Sequence, residues 1–185
     1  TKTGATVKSR LKKFEFSTTQ NYIIEMGAYY FRFYRDQGQI TVPNITASIT
    51  NGAFPSGISS WTDRSGSGSS ISHDGTNARL NLISNGSTNG HAEQVVTNSS
   101  AIEHVLQFQV IGAPGDFVLF RVGTASTGTQ LVNDFVAEVG YHCYSFTATA
   151  ANFYVQFLNQ QAKTVQIDNV ALLDDAPVEV ATPYA

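Results

Sequence analysis

What constrains the fold most is the recurrence, roughly every ten residues, of short runs rich in Phe, Tyr, Val, Ile and Thr. The runs are separated by clusters of Gly, Asn, Ser and Asp, with almost no helical periodicity between them. A chain patterned this way has no amphipathic helix to build with, so its apolar side chains are buried by packing β-sheets face to face. The runs fall at 11–16, 22–26, 29–34 and 39–42, a meander of hairpins, and then at 79–83, 92–97, 104–111, 117–122, 132–139, 141–147, 153–158 and 166–173. Eight runs at the second spacing predict a two-sheet sandwich.

Alternation within the runs assigns faces. Leu106, Phe108 and Val110 share one side of their strand, with Val105, Gln107 and Gln109 on the other. Phe153, Val155 and Phe157 alternate likewise with Tyr154 and Gln156, and Tyr144 and Phe146 with Cys143 and Ser145. One face of each strand is core and the other polar. The Ser/Gly tract at 65–70 has the composition of a linker, but strand-like patterns resume on both sides of it, which makes it a loop. Pro43 and Asn44 mark the break between the aromatic meander and the sandwich.

At 185 residues and 42% hydrophobic content the chain can bury a sizeable core. Its charged fraction is only 14%, its net charge −3, and no block of like charge exceeds a pair such as Lys12-Lys13, which excludes a duplex nucleic-acid surface. No apolar run approaches the ~20 residues that span a bilayer as a helix. The single Cys143 excludes an intrachain disulfide, is expected to fill a buried strand position, and belongs to no zinc-type spacing. The opening Thr1-Lys2-Thr3-Gly4 has neither an initiator Met nor a signal-peptide layout, as expected of a piece of a longer polypeptide.

Asn51-Gly52-Ala53-Phe54, Trp61, the alternating Leu80 and Leu82, Gln94-Val95-Val96, the stretch 140–148 and Val165-Gln166-Ile167-Asp168-Asn169-Val170 follow one another in an order that resembles jelly-roll carbohydrate-binding modules of polysaccharide-degrading enzymes. The likeness spans about residues 44–175 and implies a two-sheet jelly-roll β-sandwich over 43–176. In such modules sugars dock through aromatic rings and planar polar groups. The residues this implies here are Gln107, Gln109, Arg121, Tyr141, Tyr154 and Gln156. The bland alternative is a solvated sheet face on which Tyr packs across strands. Trp61, the only tryptophan, stands where these modules close their core, so a core role is expected rather than a sugar platform. The resemblance also implies a structural calcium ion near Asn51 and Asp168. Pro55 stands where the family usually has an acid, which removes a carboxylate from an ion that takes six to eight oxygens.

The ends read differently. The stretch from Arg10-Leu11-Lys12-Lys13-Phe14 through Tyr22-Ile23-Ile24-Glu25-Met26-Gly27 to Tyr30-Phe31-Arg32-Phe33-Tyr34 resembles phage tail proteins of the nozzle, or tail tubular, family. So does the closing Glu179-Val180-Ala181-Thr182-Pro183-Tyr184. Lys12 and Lys13 depart from the apolar residue and proline more usual there. The likeness covers residues 1–42 and 177–185 as tail-nozzle-like meander segments, with the sandwich inserted in the small antiparallel meander. It implies a virion tail location, a ring of identical subunits in the parent, and contacts with other tail proteins. The aromatic meander is then a packing surface, and the insert touches a host glycan or another tail component.

Catalysis has no foothold in this sequence. Asp63, Asp74, Asp116, Asp134, Glu138, Asp174 and Asp175 form no paired motif of the glycosidase kind. The Gly66-Ser67-Gly68-Ser69 segment precedes no helix and so lacks the nucleophile-elbow context. His73, His91, His104 and His142 are dispersed and are expected at the surface or filling strands. A non-enzymatic tail structural protein is the expectation. The alternative, a binding module of a secreted polysaccharide-degrading enzyme, leaves the terminal motifs unexplained.

Overall fold

A computed structural model describes residues 9–15, 21–28, 30–35, 38–41, 45–97, 102–173 and 179–182. The chain forms two compact units, residues 1–44 with 174–185 and residues 45–173. The described elements are all strands, and no helix among them is long and apolar enough to cross a membrane.

The terminal unit is one antiparallel sheet. Strands β1 (Arg10–Glu15), β2 (Asn21–Gly27) and β3 (Tyr30–Arg35) pair in sequence, and β4 (Gly38–Gln39) returns along β3. The last strand, β15 (Glu179–Ala181), also pairs with β3, setting Val180 opposite Phe31. The two ends therefore share a sheet, while Pro177, Val178, Pro183 and Tyr184 of the closing motif, and Asp174 and Asp175, lie outside the described residues. Glu25 is buried on this sheet and accepts the hydroxyls of Tyr30 at 3.0 Å and Tyr34 at 2.6 Å. Burial pushes its carboxyl up, but hydrogen bonds from Tyr34, Ser9 and Tyr30 outweigh that and hold it at about 2.

The central unit is a jelly-roll β-sandwich. Its strands are β5 (Thr62–Asp63), β6 (Ser70–Asp74), β7 (Arg79–Ile83), β8 (Gly90–Val96), β9 (Glu103–Ile111), β10 (Phe117–Gly123), β11 (Val132–Glu138), β12 (Gly140–Thr147), β13 (Phe153–Asn159) and β14 (Thr164–Leu172). Sheet I runs β11-β10-β13-β8-β5 and sheet II runs β12-β9-β14-β7-β6. Each inner face carries the apolar half of the alternation: Phe120, Phe153, Val155 and Phe157 from sheet I meet Leu80, Leu82, Phe108 and Ile167 from sheet II, all buried. Phe108 packs on Phe157 at 4.9 Å and on Phe120 at 5.1 Å between ring centroids.

Trp61 is a core residue. It lies against Phe54 and Phe157 at 5.7 and 6.0 Å, and its Nε1 donates to the Asn51 carbonyl at 3.1 Å. Cys143 differs from expectation: the pleat that points Tyr144 and Phe146 inward turns it to the outer face of sheet II, opposite Gln107, where it is half-buried. The Ser/Gly tract is a built loop, held by Gly66 N to Asn89 O at 3.2 Å and by Thr88 Oγ1 to Ser67 O at 3.0 Å.

Two of the sequence motifs meet because of glycine. Val170 N donates to Gly52 O at 2.9 Å, and a Cβ on residue 52 would lie 1.9 Å from the Val170 carbonyl oxygen, so the approach admits only glycine. On the other partner, Asn169 at φ 53° makes a bulge in β14 that returns Val170 to the core and leaves Asp168 facing out.

Candidate functional site

The six residues implied by the sequence divide between the two outer faces. Arg121, Tyr154 and Gln156 lie on sheet I, and Gln107, Gln109 and Tyr141 on sheet II. They do not form a single site.

On sheet I, cross-strand register places Arg121, Gln156 and Glu93 in one row over β10, β13 and β8. This row is closed by the protein itself. Arg121 pairs with Asp134 on the neighbouring strand. Glu93, only 2% exposed, accepts Arg64 Nε at 3.0 Å, Ser126 Oγ at 2.7 Å and Thr127 N at 2.7 Å. Gln156, fully buried, donates through Nε2 to Gly128 O at 2.7 Å. Residues 124–131 thus fold back as a strap over the face. The strap fits because Gly123 and Gly128 are close: a Cβ on residue 123 would sit 2.4 Å from the Gly128 carbonyl. Beside the row, His91 Nε2 and Gln156 Oε1 are buried without a hydrogen-bond partner of good geometry. Burial holds the imidazole below its ordinary pKa, against the pull of Glu93 and Gln156 toward the charged form. Tyr154 is half-buried opposite the exposed Val95.

The outer face of sheet II is open. Tyr141, Gln109 and Asp168 stand opposite one another on β12, β9 and β14 and form a row of ring, amide and carboxylate. Tyr141 is 53% exposed. Gln109 takes Asn169 Nδ2 on its Oε1 at 3.1 Å, leaving its Nε2 with no protein partner. Asp168 takes the Asn169 amide on Oδ1 at 2.7 Å, leaving Oδ2 open. Gln107, one pleat along β9, makes no side-chain hydrogen bond. Farther along, Gln166 knits the face together: its Nε2 reaches Asn81 Oδ1 at 2.8 Å and Asp74 Oδ2 at 2.9 Å, while its Oε1 accepts Arg79 Nη1 at 3.2 Å.

Of the two residues the resemblance implied for calcium, Asn51 turns its Nδ2 to the carbonyls of Gly57 and Ser59, 3.0 Å each, and Asp168 takes the Asn169 amide on one carboxylate oxygen and leaves the other open. Among the described residues no three His, Cys, Asp or Glu side chains gather as a metal site. In the terminal unit, Tyr22, Ile24, Phe33 and Ile40 line an apolar hollow of about 260 Å³, which suits packing better than recognition of a hydroxylated ligand.

Sequence reasoning gave no role to Glu93 or Arg64, and expected His91 only at the surface or filling a strand. The facing was legible: Ala92 and Val96 are core positions of β8, so His91 and Glu93 must face outward. The burial of Glu93 was not readable, because it depends on a strap more than thirty residues away in sequence.

The fold and its faces define a β-sandwich with one closed and one open polar surface. No protein-family model matches the chain, and no curated protein matches it.

Proposed function

We propose that this chain is a non-enzymatic part of a phage tail protein of the nozzle kind, and that its sandwich adsorbs to a host-surface glycan through the outer face of sheet II. One observation carries the glycan reading. The row Tyr141, Gln109, Asp168 presents an exposed ring beside hydrogen-bonding groups that no protein atom fills, whereas the polar row on sheet I is used up by its own strap. An aromatic ring meets the apolar face of a pyranose, and open amide and carboxylate groups bond its hydroxyls. The terminal motifs support the tail assignment, and the pairing of β15 with β3 puts both in one sheet.

The test is a broad glycan array probed with the full chain, with and without calcium, alongside Tyr141→Ala and Gln109→Ala. Specific binding lost in both variants supports the reading, and silence from a folded sample refutes it. Mass spectrometry of purified virions tests the tail assignment independently. Absence from virions, with the protein secreted beside a polysaccharide-degrading enzyme, favours the accessory-module alternative.

A further inference from the structure

The strap over sheet I is fastened lightly and holds a strained residue at its tip. Residues 124–131 carry no charged side chain, and of them only Leu131, at the foot, packs against the core. The foot is clamped by Leu131 N on Val122 O at 3.0 Å and by Thr124 N on Gln130 Oε1 at 3.1 Å. The tip is a turn closed by Gly128 N on Ala125 O at 3.0 Å, with Ser126 and Thr127 as its central residues. Thr127 has φ 59°, the left-handed region, which a β-branched residue avoids and which glycine or asparagine usually fills at this place in a turn. Its side chain is exposed and its hydroxyl makes no hydrogen bond. Against that strain stand the ties from the tip to the face: Ser126 Oγ and Thr127 N on the two oxygens of Glu93, and Gln156 Nε2 on Gly128 O, 2.7 Å each.

We propose that residues 124–131 are a lid on sheet I that opens while the sandwich stays folded, with Glu93 as its latch and the strained Thr127 backbone working against it. Opening uncovers the row Arg121, Gln156 and Glu93. It does not strand the buried carboxylate. Arg64 Nε already holds Glu93 Oε1 at 3.0 Å, and its half-exposed guanidinium has further N–H donors that can take Oε2 when Thr127 leaves, in the two-pronged pairing that suits arginine and a carboxylate. The closed and open states thus share one buried charge between alternative partners. A segment with little apolar burial and few ties is the kind that opens locally. The inference goes beyond the glycan reading and does not depend on what sheet II binds.

The test is residue-resolved amide hydrogen exchange of the full chain by nitrogen-15 spectroscopy, with no ligand present. Thr127 and Gly128 should exchange together, protected relative to a free peptide but at least about ten-fold less than Phe120 and Phe157 of the core. Thr127→Gly relieves the strain without removing a side-chain contact and should slow exchange at Gly128 by roughly five-fold. Glu93→Gln should speed it by roughly ten-fold, with circular dichroism showing the sandwich still folded. Strap amides as slow as the core, or Gly128 exchange that Thr127→Gly fails to slow, would overturn the inference. So would a Thr127 amide as fast as in a free peptide, because the latch would then never close.

Discussion

Glu93→Gln separates the two faces cleanly, because it changes one carboxylate oxygen into an amide donor without changing the size of the side chain. Glu93 receives three donors, Arg64 Nε, Ser126 Oγ and the Thr127 amide. The glutamine oxygen can keep Arg64 and Ser126, but its NH2 then meets the Thr127 N–H at what was a 2.7 Å contact. Leaving that buried donor unpaired costs about 1–3 kcal/mol. Losing the charge opposite Arg64, whose side chain is 42% exposed, adds less than about 1 kcal/mol. The sum, about 1–4 kcal/mol, corresponds to roughly 4–15 °C in the melting temperature of a unit this size. Circular dichroism melts and urea titration of the full chain read the loss, and the glycan array reads the function. The expected result is a lower melting temperature with glycan binding intact at 20 °C. An unchanged melting temperature would refute the account of the strap, and lost binding at full stability would move the ligand site to sheet I.

Trp61→Ala should cost about 3–5 kcal/mol, since it empties the space against Phe54 and Phe157 and orphans the Asn51 carbonyl; a stable variant that fails only in binding would mark Trp61 as a sugar platform. Gly52→Ala should cost about 2 kcal/mol or more, because its new methyl meets the Val170 carbonyl backbone rather than a side chain that can swing away; denaturant midpoints check it. The buried His91 imidazole has its pKa lowered by burial, so between that lowered pKa and about 6.5 the unfolded chain binds a proton that the folded chain does not. Stability should therefore be complete above about pH 6.5 and fall as the pH drops through this window. Urea midpoints across pH 5–8 should show the slope in the wild type and its loss in His91→Asn.

The core was legible because its period was. The expected run 79–83 coincides with β7, and those at 104–111 and 153–158 differ from β9 and β13 by a single residue, since Leu106, Phe108, Val110, Phe153, Val155 and Phe157 alternate without interruption. The edge strands β11 and β12 were legible, at 132–139 and 141–147, but the opposite edges β5 and β6 were not. β5 is two residues long and β6 grows out of a Ser/Gly tract; both exist because neighbouring strands offer them a ladder, not because of their own propensity. The candidate site was half legible. Alternation found Gln107, Gln109 and Tyr141 facing outward, but period alone does not say which sheet a strand joins, so Arg121, Tyr154 and Gln156 were grouped with them. Whether an outward group is open or satisfied depends on distant loops: Gln94, though polar, points inward and exchanges two 2.8 Å hydrogen bonds with the Thr50 backbone, forty-four residues away.

The most direct test of the central claim is a nitrogen-15 correlation spectrum of the full chain titrated with a glycan that binds on the array. The account predicts shifts concentrated at Gln107, Gln109, Tyr141, Asp168 and Asn169, with His91, Glu93, Thr127 and Gln156 unmoved. Shifts centred on the second group, with the first silent, would contradict it.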